Sequence, residues 1–388
     1  MSSHGGDFTV SSNIVATSIL VGTPYVQTLS ALNASTSISA GSVTISSGSA
    51  TTLSFAPVSN IVVVGSHPNP ANSIYHSVDT GINWVSSTLG GFSRGNAVAY
   101  DGSRWVAVGV SGYGSSIQYS SDVGVWSNVS GGFTTAGNGV AWNGNMWVAV
   151  GEDTASLATI KHSSDGSNWS NSSSGGFSTA GKGVAWNGSM WVATGRDTLS
   201  LATIKYSSDG SNWSNSLSGF LIAGNGVAWN GAMWVAVGDD GINTTAGSIK
   251  YSSDGSNWTN ATDGLLVGNG VAWNGSMWVA VGEGASSPFN TIKYSSNGIQ
   301  WLTSTPQLSV GNGVTWNGSM WIAVGEGSNQ LLTSSNGVMW TSSIFDSNTV
   351  LYGVASANVW KSTPSSTLQP TLQRLEASVF SRFGNVPI

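Results

Sequence analysis

The run Gly139-Val140-Ala141-Trp142-Asn143-Gly144-Asn145-Met146-Trp147-Val148-Ala149-Val150-Gly151 decides the fold. Two stretches of β-branched and aromatic residues flank Asn143-Gly144, and Asn-Gly is the strongest short hairpin signal because both central residues of a tight turn must accept a positive φ. The run therefore predicts an antiparallel hairpin with a two-residue turn. Its first half recurs at Gly183 to Gly188, Gly226 to Gly231, Gly270 to Gly275 and, with Thr315 in place of Ala, Gly313 to Gly318. A string like Met146-Trp147-Val148-Ala149-Val150-Gly151 follows each copy, and a third, such as Ile204-Lys205-Tyr206-Ser207-Ser208-Asp209-Gly210-Ser211-Asn212-Trp213, closes the unit.

The Trp that opens the second string stands at 105, 147, 191, 234, 278 and 321, and the Trp of the third at 84, 126, 169, 213, 258, 301 and 340. Seven units are implied. Each reads as four short strands: the hairpin, a third strand such as Thr159 to Ser163, and a fourth that begins near Asn168-Trp169 after an Asp165-Gly166 turn. Four antiparallel strands in about 43 residues is the signature of a β-propeller blade. The sequence thus predicts an all-β, seven-bladed β-propeller over residues 57–360.

The ends of the array bear on how the ring closes. Ile61-Val62-Val63-Val64-Gly65 matches a second strand and Ile74 to Ser77 a third, so the first blade lacks its own first strand. Gly353-Val354-Ala355 matches a first strand with no second strand behind it. Residues around 352–356 are expected to complete the blade begun at residues 61–87, which removes the sheet edges an open array would expose. Leu53-Ser54-Phe55 is the rival first strand.

Two segments flank the ring. Residues 8–78 carry no Lys, Arg, Asp or Glu, and Ala31 to Phe55 alternates Ser or Thr with Ile, Val and Leu. Residues 1–56 read as an extended arm that pairs with another chain or with copies of itself. Residues 361–388 read as a linker and a short amphipathic tail, with Leu368, Leu372, Leu375, Val379 and Phe383 at helical spacing behind Pro370. Partners are expected to be other structural proteins meeting these two segments, with a homo-oligomer through the arm.

Composition narrows function. Only 28 of 388 residues are charged, against the usual quarter, and 19 are Trp. With a formal charge of −6 and 11 Lys and Arg, no basic patch is available for a run of phosphates, which excludes nucleic-acid binding. No apolar stretch approaches the roughly 18 residues of a membrane span, and no secretory signal pattern opens the chain. With no Cys there are no disulfides or thiolate metal sites, and no cofactor motif is present.

The turn between third and fourth strands resembles the Asp-box, or BNR repeat, of pattern Ser-x-Asp-x-Gly-x-x-Trp. Ser77, Asp79, Gly81 and Trp84 fit it residue for residue; the turns carrying Asp122, Asp165, Asp209 and Asp254 are one residue shorter, and Asn297 and Asn336 replace Asp in the last two. The resemblance covers residues 57 to 360. It implies a sialidase-like propeller whose boxes lie on the face opposite any ligand, with Ser and Asp bonding turn N–H groups. The repeat style is also similar to virion proteins of large DNA viruses. The sialidase Arg triad and Phe-Arg-Ile-Pro motif have no counterpart: only Arg94, Arg104 and Arg196 lie in the ring, and Arg104 belongs on the Asp-box face.

Glycoside hydrolysis in general requires two carboxylates flanking the bond. The residues after the Gly that ends each second strand include Glu152, Arg196, Asp239, Glu283 and Glu326, with Asp153, Asp197 and Asp240 one step further. All are expected on one loop-rich face, either as solvated charges that keep the surface soluble or as a binding rim. Asn96, Asn138, Lys182, Asn225, Asn269 and Asn312 are expected to ring the channel mouth on that face, with Lys182 and Arg196 forming a polar pocket for a sugar or carboxylate. His162 takes the place of Tyr206, Tyr251 and Tyr294 and reads as a packing residue. The functional expectation is a non-catalytic structural or adhesive surface protein, a propeller head displayed by an arm on a virion or other extracellular surface. A glycan-binding module comes second and a glycoside hydrolase third.

Overall fold

In a computed structural model, the described residues are 61–357 apart from 70–72, 80, 113, 155–157, 199–201, 242–246, 285–289, 306–307, 344 and 346–348, together with the backbone of six short strands between Ser2 and Leu53. The tail 361–388 and Trp360 lie outside them, as does most of the arm.

Seven four-stranded antiparallel blades make a closed β-propeller. Blade 3 is representative: an inner strand Ala136–Trp142, a second strand Trp147–Glu152, a third Ile160–Ser163 and a two-residue outer strand Ser170–Asn171. Blade 2 begins at Arg94, and blades 4 to 7 begin at Ala180, Ala223, Val267 and Val310. Blade 1 is the composite one. Val350–Ser356 is its inner strand, antiparallel to Ile61–Ser66, with Ser356 opposite Ile61 and Val350 opposite Ser66. The pairing slot that Leu53-Ser54-Phe55 would need is therefore occupied.

The second strands are buried on both faces, which explains their unbroken apolar runs. Val148 and Val150 pack with Phe177, Trp191 and Trp213 of blade 4. Trp147 and Ala149, on the opposite side of the same strand, pack with Val106, Val108 and Ile117 of blade 2. Each blade interface repeats this exchange. In blades 3 to 7 the two hairpin Trp rings pack against each other, tilted by 46° with centroids 5.1 Å apart for Trp142 and Trp147. A fully buried side chain of this class is worth on the order of 2–3 kcal/mol in transfer alone, so the Trp positions are scaffold.

The hairpin turn differs from expectation. Trp142 pairs with Trp147, leaving a four-residue loop in which Gly144 has φ 103° and Asn143 is not left-handed. The Asn143 side-chain oxygen accepts the N–H groups of Asn145 and Met146 at 2.9 and 2.7 Å. Asn is there because its side chain closes the loop, not because it tolerates a positive φ. Asp101 does the same for Ser103 and Arg104 in blade 2.

Candidate functional site

The inner strands converge on the central channel. Each carries a one-residue β-bulge, between Gly137 and Gly139 in blade 3, and the extra residues are Asn96, Asn138, Lys182, Asn225, Asn269, Asn312 and Tyr352. A bulge re-aims its extra side chain, and all seven line a cavity of about 190 Å³. The glycines make the approach possible: a Cβ on Gly139 would stand 2.7 Å from the Lys182 carbonyl oxygen of the next blade.

The Asn side chains form a belt. Asn96, Asn138, Asn225, Asn269 and Asn312 each donate an amide N–H to a backbone carbonyl of the following blade, at Gly137, Gly181, Gly268, Gly311 and Leu351, over 2.9 to 3.0 Å. They tie blade to blade as well as facing the channel. Lys182 interrupts the belt between blades 4 and 5, and Tyr352 stands where blade 1 meets blade 2.

A positive corner results. Burial lowers the Lys182 ammonium pKa, the positive charges of Arg94 and Arg196 lower it further, and Glu152 acts in the opposite direction. Arg94 leans over the rim, its Nε donating to Asn96 Oδ1 at 3.0 Å and its guanidinium 5.5 Å above the Tyr352 ring. Arg94 and Tyr352 were not singled out from sequence. Aligning Val350-Leu351-Tyr352-Gly353 with Ala136-Gly137-Asn138-Gly139 would have found the Tyr.

Glu152, Arg196, Asp239, Glu283 and Glu326 stand opposite the first residues of their inner strands, at the channel-mouth end of the blades. Glu152, Arg196 and Glu283 are exposed; Asp239 and Glu326 are half-buried. Asp153, Asp197 and Asp240 must be removed from the rim set. Strand alternation turns them inward, where they form buried ion pairs with Lys161, Lys205 and Lys250 at 3.1, 3.3 and 3.1 Å. Each Lys also donates to an outer-strand Asn, at Asn171, Asn215 and Asn260, and lies 5.1 Å from the ring of Phe133, Phe177 or Phe220. Each of these carboxylates ties the third strand of its own blade to the segment that follows the second.

The Ser–Asp turns occupy the other end of the blades, beyond the hairpin loops. Ser77 Oγ accepts the Gly81 N–H at 2.8 Å, Asp79 Oδ1 accepts the Asn83 N–H at 2.9 Å, and Trp84 Nε1 donates to the Gly81 carbonyl at 3.1 Å. The Asn83 N–H bond, with those from the Ser77 and Asn83 side chains, holds the Asp79 carboxyl down at about 2. Asp122, Asp165, Asp209 and Asp254 are held low in the same way. Asn297 and Asn336 accept the corresponding N–H pairs without charge. Arg104 donates to the Asp165 carbonyl oxygen, which places it on this face. Half-buried His162 lies opposite Val148 as Tyr206 lies opposite Val192, the Tyr-equivalent place.

Among the described residues no group of three or more His, Asp or Glu is arranged to hold a metal ion, and no helix is long and apolar enough to cross a membrane. No protein-family description matches the chain, and no curated protein matches it. Among solved structures, the crystal structure of the computationally designed Ika8 protein is similar, with a TM-score of 0.52 at 13% identity over 78% of this chain and 91% of that one. At that identity the likeness speaks for the repeat fold alone.

Proposed function

We propose that the chain is a non-catalytic structural or adhesive surface protein, a propeller head tethered on one face and presenting the other, with its turns belonging to the Asp-box class. The observation that carries this reading is the placement of the ring's two ends. Ile61 and Ser356 pair at the Ser–Asp-turn end of blade 1, so both flanking segments leave from one face. The channel mouth and the ends of the second strands lie at the opposite end of the blades from that attachment. The scarcity of ionisable groups argues against catalysis: the three inward carboxylates are engaged in ion pairs, and an acid–base pair needs groups free to titrate. A virion is the setting we favour for such a head. Quantitative mass spectrometry of purified particles tests that setting; a stoichiometric signal supports it and absence from particles removes it.

A second reading, carbohydrate binding at the channel mouth, is favoured by the corner of Lys182, Arg94 and Arg196 beside Glu152. It fits an acidic sugar better than a neutral one. Glycan-array binding that survives Lys182→Asn together with Arg196→Val would eliminate it.

A further inference from the structure

Blade 1 departs from its sister blades on the face where the chain leaves the ring. Blade 4 carries Ser208, Ser211 and Ser214 at three positions of its Ser–Asp turn and outer strand; blade 1 carries Val78, Ile82 and Val85 there. These three are 56%, 73% and 57% exposed. The change continues along the same edge. Leu89 is bridged to Val125 of blade 2, both apolar and exposed, where the matching bridges join Ser130 to Asn168, Ser174 to Asn212, Thr262 to Gln300 and Thr305 to Met339, each with at least one polar partner. The repeat is its own control: blades 3, 4 and 5 are polar at all three positions, blade 6 carries Ile299 and Leu302 and blade 7 Val338 at some of them, and blade 1 alone is apolar at all three.

The apolar edge adjoins the chain exit. The Ile61 side chain lies beneath the blade-1 turn, its Cδ1 3.5 Å from where a Cβ on Gly81 would stand, and Ser356 is paired with Ile61. Crossing from the inner to the outer strand of a blade spans roughly 14 Å, three strand spacings. The ten residues after Ser356 reach up to about 33 Å when extended. Beyond them the sequence sets Leu368, Leu372, Leu375, Val379 and Phe383 at helical spacing, an apolar stripe that needs a partner.

We propose that this stripe in residues 361–388 docks, within the same chain, on the apolar edge formed by Val78, Ile82, Val85, Leu89 and Val125. A second copy of the chain fits less well. The patch offers on the order of 500 Å², the size of a large patch on an ordinary monomer and short of the roughly 800 Å² per partner of a stable dimer. The N-terminal arm fits less well too, because its Ser/Thr alternation has a strand period and the outer strand Val85–Ser86 gives only two residues of edge.

The absence of Cys makes the test clean. Full-length protein carrying Ile82→Cys is labelled with benzophenone maleimide, irradiated and mapped by mass spectrometry. Cross-links from residue 82 to peptides of 361–388 in a product of monomer mass are expected. Cross-links to residues 1–60, a dimer-sized product, or no cross-link would overturn the proposal. In a second arm, Val78→Ser, Ile82→Ser and Val85→Ser together install the residues that blades 3 and 4 carry there, so the ring keeps its fold. Hydrogen exchange in 361–388 is expected to rise about tenfold, while Leu217→Ser, an exposed change elsewhere, leaves it unaltered. Unchanged exchange in the triple variant would also overturn the proposal.

Discussion

Ser356 lies directly opposite Ile61 in the ladder of blade 1, although one residue ends the ring and the other begins it. Six of the seven blades are continuous stretches of chain, and only this one is assembled from two ends. The seam is filled by apolar packing: Leu351 is fully buried with Ile61, Val63 and Tyr75 of its own blade and Ile322, Val324 and Leu331 of blade 7.

Leu351→Ala is therefore expected to cost about 2–5 kcal/mol, the range for emptying a buried leucine site. The loss should be local first. Native-state hydrogen exchange is expected to show residues 61–77 and 350–356 opening before the other blades, since opening this blade unzips the ring without breaking a continuous hairpin. Exchange that rises equally in all blades would contradict the seam as the weakest point.

The Ser–Asp turns supply an internal mutagenesis series. Asp209 Oδ1 accepts the Ser211 and Asn212 N–H groups at 2.8 Å, and Asn297 Oδ1 accepts the equivalent pair in blade 6. Asp209→Ala is expected to lower stability by about 1 kcal/mol, and Asp209→Asn to be nearly neutral at pH 7. The two differ in acid. Hydrogen bonds from Asn212 and Ser211 hold the folded-state carboxyl below its ordinary 3.8. The carboxylate's contribution is complete above that value and disappears as pH falls through the folded-state pKa. Urea melts at pH 7 and pH 3 should show Asp209→Asn losing less than the native protein on acidification.

The fold was legible because its signals repeat. Trp at fixed addresses and Val-Ala-Val runs mark strands whichever copy is read, and Gly353-Val354-Ala355 marked the closing strand by pattern alone. What escaped depended on direction. Glu152 and Asp153 are neighbours in sequence but lie on opposite sides of a strand, so grouping them as one rim ignored the two-residue period. A signal was present: Asp and Lys occur together in blades 3, 4 and 5, while blade 7 has Gly327 and Leu332 at the same two places. The hairpin loop is not legible in the same way, because a side-chain oxygen closing on two N–H groups leaves the same Asn-Gly dipeptide as a tight turn.

Lys182→Asn restores the belt. Its new amide would reach the carbonyl of Gly224, as Asn138 reaches that of Gly181, and would replace an ammonium that burial and two nearby guanidinium groups disfavour. A gain of about 1 kcal/mol is expected at pH 7. Because the folded-state pKa lies below the ordinary 10.5, the native chain binds this proton more weakly when folded. It should gain stability as pH rises from the folded-state pKa towards 10.5. Denaturation at pH 7.5 and 10 should show that gain in the native protein and lose it in Lys182→Asn; the same pH slope in both would sink the account.

Asp240 and Lys250 form a buried ion pair at 3.1 Å, and Asp240 also accepts the Leu221 N–H at 2.9 Å. Removing one partner leaves the other charged and without its counter-ion, so Asp240→Ala is expected to cost about 3–5 kcal/mol. Replacing both partners is different. Blade 7 builds the same region with Gly327 and Leu332 and no charge, and Leu332 is fully buried there. Asp240→Gly with Lys250→Leu copies that solution and should recover more than half of the single-variant loss, giving a coupling of about 2 kcal/mol in a double-mutant cycle. Strictly additive losses would mean that the pair acts as two independent polar residues, and the three carboxylates of blades 3 to 5 would again be candidates for the channel rim.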